Sequence, residues 1–453
     1  MITSITKKAK GYLSHRISMV VASLLGAWII SFPYEGQVLY TLAKSYGVES
    51  VGILDISLVM LVVGLVAGGI FIRSIQTAKM VLTISIPLCM LLTGTFLFQT
   101  YEVWAVMLGA CAAMGGMCIT ACGHFLQREV EPESRFRTAA EMLICIFIFR
   151  MVISNVSQYI SIQVGIVFII VILGAAGYLV IRKLNAVDKK SYPRVVDKKM
   201  ALRALLVLFI FIAIVAIDYG IMTQIINPKY NSYEWLSSWY WLVPYVAAAF
   251  FMSRVKKEDT RTSLLYVAVG LIGFGFVLFF IMDYSISSYL IVNTVMMSAW
   301  AIFDVFWWSK LAEMFEMAKN PAVPFSVGFS ALMFGVLSGK LIAENSVAIP
   351  YFSLYMIPMA VICSTLVILP VLHRYLSSMI RKNAELQLDM PNNTELLTDR
   401  ERQIVALVLK GRTYKLIAAE LHLSENTVKT HIKNVYSKLG VKSKAELYNY
   451  IMN

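Results

Sequence analysis

The chain contains 453 residues, of which 58% are hydrophobic and only 15% are charged, with a formal net charge of +13. Soluble domains carry about 25% charged residues, so this composition excludes an ordinary soluble protein. Apolar stretches of about 18 residues or more recur along most of the chain, and each is long enough to cross a bilayer as a helix. A membrane β-barrel is excluded because its strands would alternate apolar and polar residues. The composition therefore predicts an all-α, polytopic membrane protein.

Twelve transmembrane helices are predicted from the apolar stretches. The first stretch begins near Ile17 and is too long for the core of a signal peptide, so we expect it to remain as a helix. The predicted spans cover about residues 17–40, 50–72, 80–99, 101–125, 138–160, 162–181, 201–225, 237–253, 263–283, 285–309, 325–344 and 350–373. Because twelve is an even number, both termini are expected on the same side of the membrane.

Lysine and arginine are concentrated on one side of these spans. Most of them lie on the side of the termini, whereas the predicted loops of the opposite side contain only Lys44, Lys229 and Lys340. The positive-inside rule assigns the basic side to the cytoplasm. The sequence therefore predicts a multi-pass protein of the cell inner membrane with cytoplasmic N- and C-termini.

The longest loop of the membrane region, about residues 182–200, divides the twelve helices into two groups of six. This six-plus-six layout with a basic central loop resembles the major facilitator superfamily, whose halves contain inverted three-helix repeats. The resemblance covers about residues 1–375 and rests on the layout. The superfamily loop between helices two and three normally carries Gly, then Asp-Arg, then a further Gly with Arg or Lys. Residues 68–76 begin with Gly68 and Gly69 but contain neither the acidic residue nor the later glycine.

The character of the chain changes after His373. We predict a membrane sensor domain over residues 1–375 and a linker over residues 376–396. The linker extends the last helix and breaks near Pro391, because proline disfavours helix continuation. Residues 397–453 are soluble in pattern and contain twice as many basic as acidic residues, which indicates a polyanion as partner.

Capping residues predict four short helices in residues 397–453. The predicted N-terminal caps are Thr398 with Glu401, Thr413, Ser424, and Ser443 with Glu446. Gly411 and Gly440 are expected to end the first and third helices. The second and third helices are separated by a tight turn, which is the arrangement of a helix-turn-helix.

The same segment carries a specific residue pattern, made up of Leu397, Thr398, Arg400, Glu401, Gly411, Ile417, Ala418, Leu421, Ser424, Thr427, Val428, Lys429, His431, Asn434, Lys438, Leu439, Gly440, Val441 and Ser443. This pattern closely resembles the LuxR/GerE/FixJ-type DNA-binding domain. The resemblance implies that double-stranded promoter DNA is the partner, that the protein binds it as a homodimer, and that RNA polymerase is a further partner.

The third helix presents an outward polar face with Asn426 at its start. Lysine can donate to guanine in the major groove, and threonine offers a methyl group to thymine. By resemblance, the base-reading residues are Lys429, Thr430 and Lys433. The residues expected to contact the DNA backbone are Thr427, Asn434 and Lys438.

Charged residues inside predicted spans are candidate site residues, because an unpaired charge in a bilayer is costly. They are Glu35, Asp55, Glu141, Arg150, Asp218 and Asp304. Arg150 lies about twelve residues into its helix, near the bilayer midplane. It could clamp a carboxylate through two hydrogen bonds, or form a structural ion pair with Asp218 or Asp304.

Trp28 and Trp300 lie mid-span in helices one and ten, which line the central cavity in the facilitator superfamily. They are interpreted as pocket walls, with helix packing as the alternative. The predicted ligand-binding residues are Arg150, Trp28, Trp300, Glu35 and Asp218, and the predicted ligand is a small organic anion with a carboxylate group. The tryptophans near span ends are interpreted as interface anchors: Trp104, Trp235, Trp239, Trp241, Trp307 and Trp308.

No catalytic, metal-binding or cofactor-binding pattern is recognised, and all six cysteines fall inside apolar spans. The sequence therefore predicts a membrane-embedded one-component transcriptional regulator, which senses a small molecule through its bundle and binds DNA through its C-terminal domain. The alternatives are an active secondary transporter that also regulates transcription, and a membrane tether for a constitutive regulator.

Overall fold

The computed structural model describes residues 2–34, 36–45, 51–98, 101–130, 134–184, 198–314, 320, 322–346, 351–388, 397–409, 412–421, 423–441, 443–444, 446–447 and 450. Within these residues the regular structure is helical, and they contain no strand. The chain divides into two compact units, residues 1–189 with 205–372 and residues 190–204 with 373–453.

The first unit is a helical bundle. The α-helices that form it are α1 (Ile2–Ser31), α2 (Gln37–Ser45), α3 (Val51–Phe71), α4 (Ile75–Gly94), α5 (Tyr101–Glu129), α6 (Arg135–Asn155), α7 (Ile162–Arg182), α8 (Lys198–Ile221), α9 (Asn227–Lys229), α10 (Glu234–Ser237), α11 (Leu242–Arg254), α12 (Glu258–Ile281), α13 (Ile286–Met314), α14 (Ala322–Ser346) and α15 (Tyr351–Leu388). The part of α8 before residue 205 and the part of α15 after residue 372 belong to the second unit. The helices α6 and α8 continue into π-helical turns at Val156–Ile160 and Met222–Ile226.

The chain is a multi-pass membrane protein. Among the described residues, nine helices are long and apolar enough to cross a membrane: Ile75–Leu97, Val103–Glu129, Arg135–Ile160, Ile162–Arg182, Leu202–Lys229, Thr260–Ile281, Ile286–Met314, Ala322–Asn345 and Met356–Ser378. Three further apolar helices are shorter, namely Arg16–Ser31, Asp55–Phe71 and Leu242–Arg254. These segments correspond in position to the twelve predicted stretches, and the exact number of spans stays a prediction.

The first predicted stretch, residues 17–40, consists of two helices with a break at Pro33. Helix α1 ends at Ser31, a turn follows through Pro33, and α2 begins at Gln37. The Tyr34 amide donates to the Ile29 carbonyl at 2.8 Å and closes this turn. Proline has no amide hydrogen, so it cannot continue the helical hydrogen-bond ladder.

Close helix contacts in the bundle depend on glycine. Helices α3 and α5 pack so tightly that a Cβ added at Gly64 would collide with the carbonyl oxygen of Ala113. A Cβ at Gly339 of α14 would collide in the same way with the carbonyl of Ile217 on α8. Small residues allow such approaches in membranes, where helix association depends on packing and hydrogen bonds rather than on expulsion of water.

The helices before the loop of residues 182–200 (α1–α7) contact those after it (α8–α15) chiefly along two pairs, α3 with α14 and α6 with α11. At the first contact the Asn320 amide donates to the Gly69 carbonyl, and the Ser326 hydroxyl donates to the Leu65 carbonyl, both at 2.7 Å. Large apolar side chains cover the outer faces of the bundle, as Leu91, Val106 and Phe334 illustrate. Apolar outer faces are what a lipid environment requires.

The second unit contains the C-terminal helices α16 (Asp399–Leu409), α17 (Tyr414–Glu420) and α18 (Glu425–Leu439). Apolar residues of all three helices form one core, which includes Val408, Ile417, Val428, Ile432 and Val435. The expected helical extension after His373 is confirmed, because α15 continues to Leu388. The expected break at Pro391 and the helix end at Gly411 lie outside the described residues.

Candidate ligand cavity and nucleic-acid interface

A cavity of about 140 Å³ lies inside the bundle and is lined by residues from both groups of helices. Most of its wall is apolar, with side chains such as Leu25, Ile146, Phe329 and Met333. The charged side chains among the lining residues are Arg150 and Asp304. A mostly apolar cavity with a few polar groups is the usual composition of a small-molecule site.

Arg150 of α6 lines this cavity and stacks on aromatic rings. Its Cζ atom lies 4.9 Å from the ring centre of Trp241 and 5.9 Å from that of Phe147. Among the residues that the structure describes, no carboxylate forms an ion pair with Arg150. The structural pairing with Asp218 or Asp304 that the sequence left open is therefore not formed.

Asp304 of α13 lines the same cavity and is held by two neutral donors. The Tyr245 hydroxyl donates to its Oδ2 atom at 2.8 Å, and the Trp307 indole donates to its Oδ1 atom at 3.0 Å. The Tyr245 ring also packs on Phe147, with ring centres 4.3 Å apart. Phe147 thus lies close to both the guanidinium of Arg150 and the ring of Tyr245.

The structure brings together some of the predicted ligand-binding residues. Trp300 lines the cavity with Arg150, and its ring meets that of Tyr219 edge to face at 5.2 Å. Trp28 and Asp218 are buried but are not among the lining residues. Glu35 lies outside the described residues. Contact of these five residues with a ligand stays a prediction.

Sequence reasoning missed several aromatic residues of the cavity region, among them Trp307, Trp308 and Tyr245. Trp307 and Trp308 were expected at the membrane interface, but both line the cavity, and Trp307 is fully buried. The reason is that α13 continues to Met314, beyond the span predicted to end at residue 309. Tyr245 was not singled out, since only its contact with Asp304 distinguishes it from the other tyrosines.

The helix-turn-helix of the second unit is formed by α17 and α18. The Thr413 hydroxyl accepts from the Leu416 amide at 3.4 Å, and the Ser424 hydroxyl accepts from the Thr427 amide at 3.1 Å. Gly440 ends α18 with a φ of 68°, a left-handed conformation that glycine adopts without steric cost. These predicted caps and the predicted helix end are confirmed.

The predicted capping box of Thr398 with Glu401 is present, and Ser443 of the second predicted box caps its helix. The Thr398 amide donates to Glu401 at 2.7 Å, and the Glu401 amide donates back to the Thr398 hydroxyl at 3.4 Å. The Glu446 amide donates to the Ser443 hydroxyl at 3.1 Å, which begins the last helical segment. Caps are local interactions between residues three apart, so the sequence is sufficient to predict them.

The outward face of α18 carries the residues predicted to contact DNA. Val428 and Ile432 point into the core, whereas Asn426, Lys429, Thr430, Lys433 and Asn434 are exposed and Thr427 is half-buried. Lys429 forms an ion pair with Glu425 at 2.9 Å, in which both side chains are largely exposed. Exposed pairs of this kind contribute little stability, and contact of Lys429 with DNA stays a prediction.

Lys438 has an additional structural contact. Its Nζ atom lies 2.6 Å from Oε2 of Glu401, whose side chain is only 3% exposed. Burial acts to raise the pKa of Glu401, but hydrogen bonds from Lys438 and Thr398 outweigh it, so the pKa lies below its ordinary value. Lys438 therefore stabilises the unit, and its contact with the DNA backbone stays a prediction.

Replacing Lys438 with alanine should lower the free energy of unfolding of the C-terminal unit by about 1–2 kcal/mol, because a buried carboxylate loses a charge-assisted hydrogen bond. Since the folded-state pKa of Glu401 is lowered, this contribution is present at neutral pH and is lost as the pH falls through that pKa. The measurement is urea unfolding of a fragment of residues 374–453 at pH 7 and at pH values below 4.5, the ordinary pKa of glutamate.

The matched control is Lys444→Ala, which removes an exposed lysine outside the core contacts and should change stability by less than about 0.5 kcal/mol. Equal stability of the Lys438→Ala variant and the wild type at pH 7 would show that this ion pair contributes nothing.

Comparison with known proteins agrees with this geometry. The family described as "Bacterial regulatory proteins, luxR family" matches residues 395–451. The spore germination protein GerE of Bacillus subtilis is 49% identical over 51 residues, which are 11% of this chain and 69% of that protein. The match with three other regulators spans only 23–29% of their length.

The bundle is similar in fold to solved transporters. The human organic anion transporter MFSD10 (TETRAN) superposes with a TM-score of 0.61 at 10% identity, over 80% of this chain and 99% of that chain. A structure of the E. coli fucose:proton symporter FucP gives a TM-score of 0.54 at 15% identity, over 79% and 99% of the two chains. At these identities the likeness shows the fold alone.

The protein is thus a fusion of a transporter-like membrane bundle with a DNA-binding domain. Through residues 395–451, the chain belongs to the LuxR family of bacterial regulatory proteins.

Proposed function

We propose that this protein is a membrane-embedded, one-component transcriptional regulator. A small organic anion binds in the cavity of the bundle, and the C-terminal helix-turn-helix binds promoter DNA. The observation that carries this proposal is the cavity guanidinium: Arg150 lines an apolar cavity and no described carboxylate neutralises it. A cation in such a place is a site for a ligand with a negative charge.

The size and lining of the cavity limit the ligand. An apolar cavity of about 150 Å³ can hold a benzene molecule, and this cavity is about 140 Å³ in volume. The ligand is therefore a carboxylate with a compact aromatic or aliphatic body. Its carboxylate contacts Arg150, and its body contacts apolar walls such as Trp300.

The ligand acts by binding one conformation of the protein more tightly than another, because a ligand with equal affinity for two states shifts nothing. In this proposal the two states differ in how two C-terminal domains are presented to DNA as a homodimer. The dimer then recruits or excludes RNA polymerase. Residues 1–375 act as the sensor, residues 376–396 as the linker, and residues 397–453 as the DNA-binding domain.

Deletion of residues 1–373 tests the proposal. The fragment of residues 374–453 should keep weak DNA binding and lose all dependence on the ligand. The readout is a reporter gene under the protein's own promoter, with the full-length protein and the fragment expressed at equal levels. A fragment that still responds to the ligand would refute a sensor in the bundle.

A working transporter that also regulates transcription is the second candidate. Asp304 favours it, because a carboxylate that lines a cavity inside a membrane bundle is suited to carry a coupling proton. Proteoliposomes that contain the purified protein separate the two candidates. The regulator binds a labelled ligand at one molecule per site, whereas the transporter accumulates it in proportion to an imposed proton gradient.

The orientation follows from the distribution of basic residues. We expect the N-terminus, the loop of residues 182–200 and Asn453 in the cytoplasm, and the loop of residues 226–236 on the other side of the inner membrane. Reporter fusions active on only one side of the membrane measure this at each position. A C-terminal reporter on the non-cytoplasmic side would contradict DNA binding, because the domain could not reach the chromosome.

A further inference from the structure

Two opposite charges line the ligand cavity without neutralising each other. Arg150 contacts aromatic rings instead of a carboxylate, and Asp304 accepts hydrogen bonds from the neutral groups of Tyr245 and Trp307. Arg150 Cζ and the ring centre of Tyr245, whose hydroxyl contacts Asp304, are each within 6 Å of the centre of the Phe147 ring.

A simple organic anion would satisfy only one of these two groups. Its carboxylate would pair with Arg150 but would bring a second negative charge into the cavity that holds Asp304, and like charges disfavour each other at short range. Asp304 also retains unused acceptor capacity. A carboxylate offers about four lone-pair sites, and two donors contact it here.

From the two separated charges in one cavity, we infer that the ligand is a small zwitterion, an amino carboxylate with an apolar side chain. This inference rests on the proposed ligand site: it keeps the ligand carboxylate at Arg150 and adds an ammonium group, so that the ligand carries no net charge. The ligand carboxylate pairs with Arg150, and its ammonium group donates to Asp304. Tyr245 and Trp307 hold the Asp304 carboxylate in place, so they act as positioning residues.

The volume of the cavity sets the size of the side chain. A cavity of about 140 Å³ accommodates an isobutyl or phenyl group but no larger ring system. The walls around the two charges include Ile146, Phe147 and Trp300, which offer no further charge to a ligand. Neutral amino acids with an isobutyl or phenyl side chain therefore match the two charges of the cavity and the volume of its apolar part.

Three probes with the same isobutyl body test the inference: leucine, 4-methylpentanoate, which lacks the amine, and 3-methylbutylamine, which lacks the carboxylate. Affinities are measured from the ligand-dependent thermal stabilisation of the purified full-length protein in nanodiscs. We expect the best binder among leucine, valine and phenylalanine to bind at least about tenfold more tightly than either half-probe, a difference of about 1.4 kcal/mol.

The variants separate the two charges. Asp304→Asn keeps the shape and the acceptor for Tyr245 but removes the charge. It should therefore weaken binding of the amino acid about tenfold and leave binding of 4-methylpentanoate unchanged or make it tighter. Arg150→Gln should weaken binding of both the amino acid and 4-methylpentanoate. Asp55→Asn makes the same chemical change outside the cavity lining. It should leave the ratios of the affinities for the three probes as in the wild type.

Each outcome decides the inference. Two results would overturn the inference that the ligand is a zwitterion while leaving an anion site at Arg150. One is equal binding of 4-methylpentanoate and the amino acids, and the other is an Asp304→Asn variant whose affinity ratio between the amino acid and 4-methylpentanoate is unchanged. Absence of stabilisation by every amino acid of the panel would overturn it as well. The regulator proposal fails by a different result, namely ligand dependence in the fragment of residues 374–453.

Discussion

Replacing Arg150 with lysine should raise the ligand concentration that gives a half-maximal response by about ten- to a hundredfold. Lysine keeps the positive charge but loses the planar pair of donors that binds a carboxylate through two hydrogen bonds. Hydrogen bonds to charged groups contribute about 1.5–3 kcal/mol, which corresponds to this range of affinity. The stacking of the guanidinium on Trp241, with Cζ 4.9 Å from the ring centre, is lost at the same time.

The measurement is a dose–response curve of the reporter gene with the full-length protein. Arg254→Lys is a matched control, because Arg254 also stacks on an aromatic ring, that of Phe250 at 4.7 Å, and does not line the cavity. Membrane fractions show whether both variants reach wild-type levels. An unchanged dose–response curve in Arg150→Lys would remove Arg150 from the ligand site.

Replacing Lys429 or Lys433 with alanine should weaken binding to the cognate promoter by about 1–3 kcal/mol, or roughly five- to 150-fold. Both side chains are exposed on the outward face of α18, while Val428 and Ile432 of the same helix are buried in the core. The loss should therefore come from base contacts rather than from unfolding. Base preference should relax at one position of each half-site.

Competition between cognate and scrambled duplexes at fixed salt distinguishes base readers from phosphate contacts. Lys438→Ala should weaken both duplexes to the same extent and reduce the salt dependence, because a phosphate contact carries no sequence information. Circular dichroism must accompany this variant, since Lys438 also pairs with buried Glu401. If Lys429→Ala weakened both duplexes equally, Lys429 would be a phosphate contact and not a base reader.

The organisation of the chain could be predicted because the signals are local. An apolar stretch shows its length directly, and a cap needs only residues three apart, such as Ser424 and Thr427. The amphipathic pattern of α18 separates buried Val428 and Ile432 from exposed Lys429 and Lys433. Hence the all-helical fold and the helix-turn-helix follow from the sequence.

The composition of the cavity could not be predicted in the same way. A membrane helix is apolar on all sides, so it has no polar stripe that shows which face points inward. Trp28 and Trp300 both lie in the middle of a span, yet Trp300 lines the cavity and Trp28 packs in the bundle. Only the rotation of each helix against its neighbours distinguishes them.

Contacts between residues far apart in the chain also depend on how the helices pack. Tyr245 donates to Asp304 across 59 residues, and Lys438 pairs with Glu401 across 37 residues. Chain length, apolar spans and caps describe which segments are helices and which class of domain they form. Which charged and polar groups pair with each other depends on how those helices pack. Hydrogen bonds and ion pairs act over a few ångströms, and only folding of the bundle and of the DNA-binding unit brings such distant residues that close together.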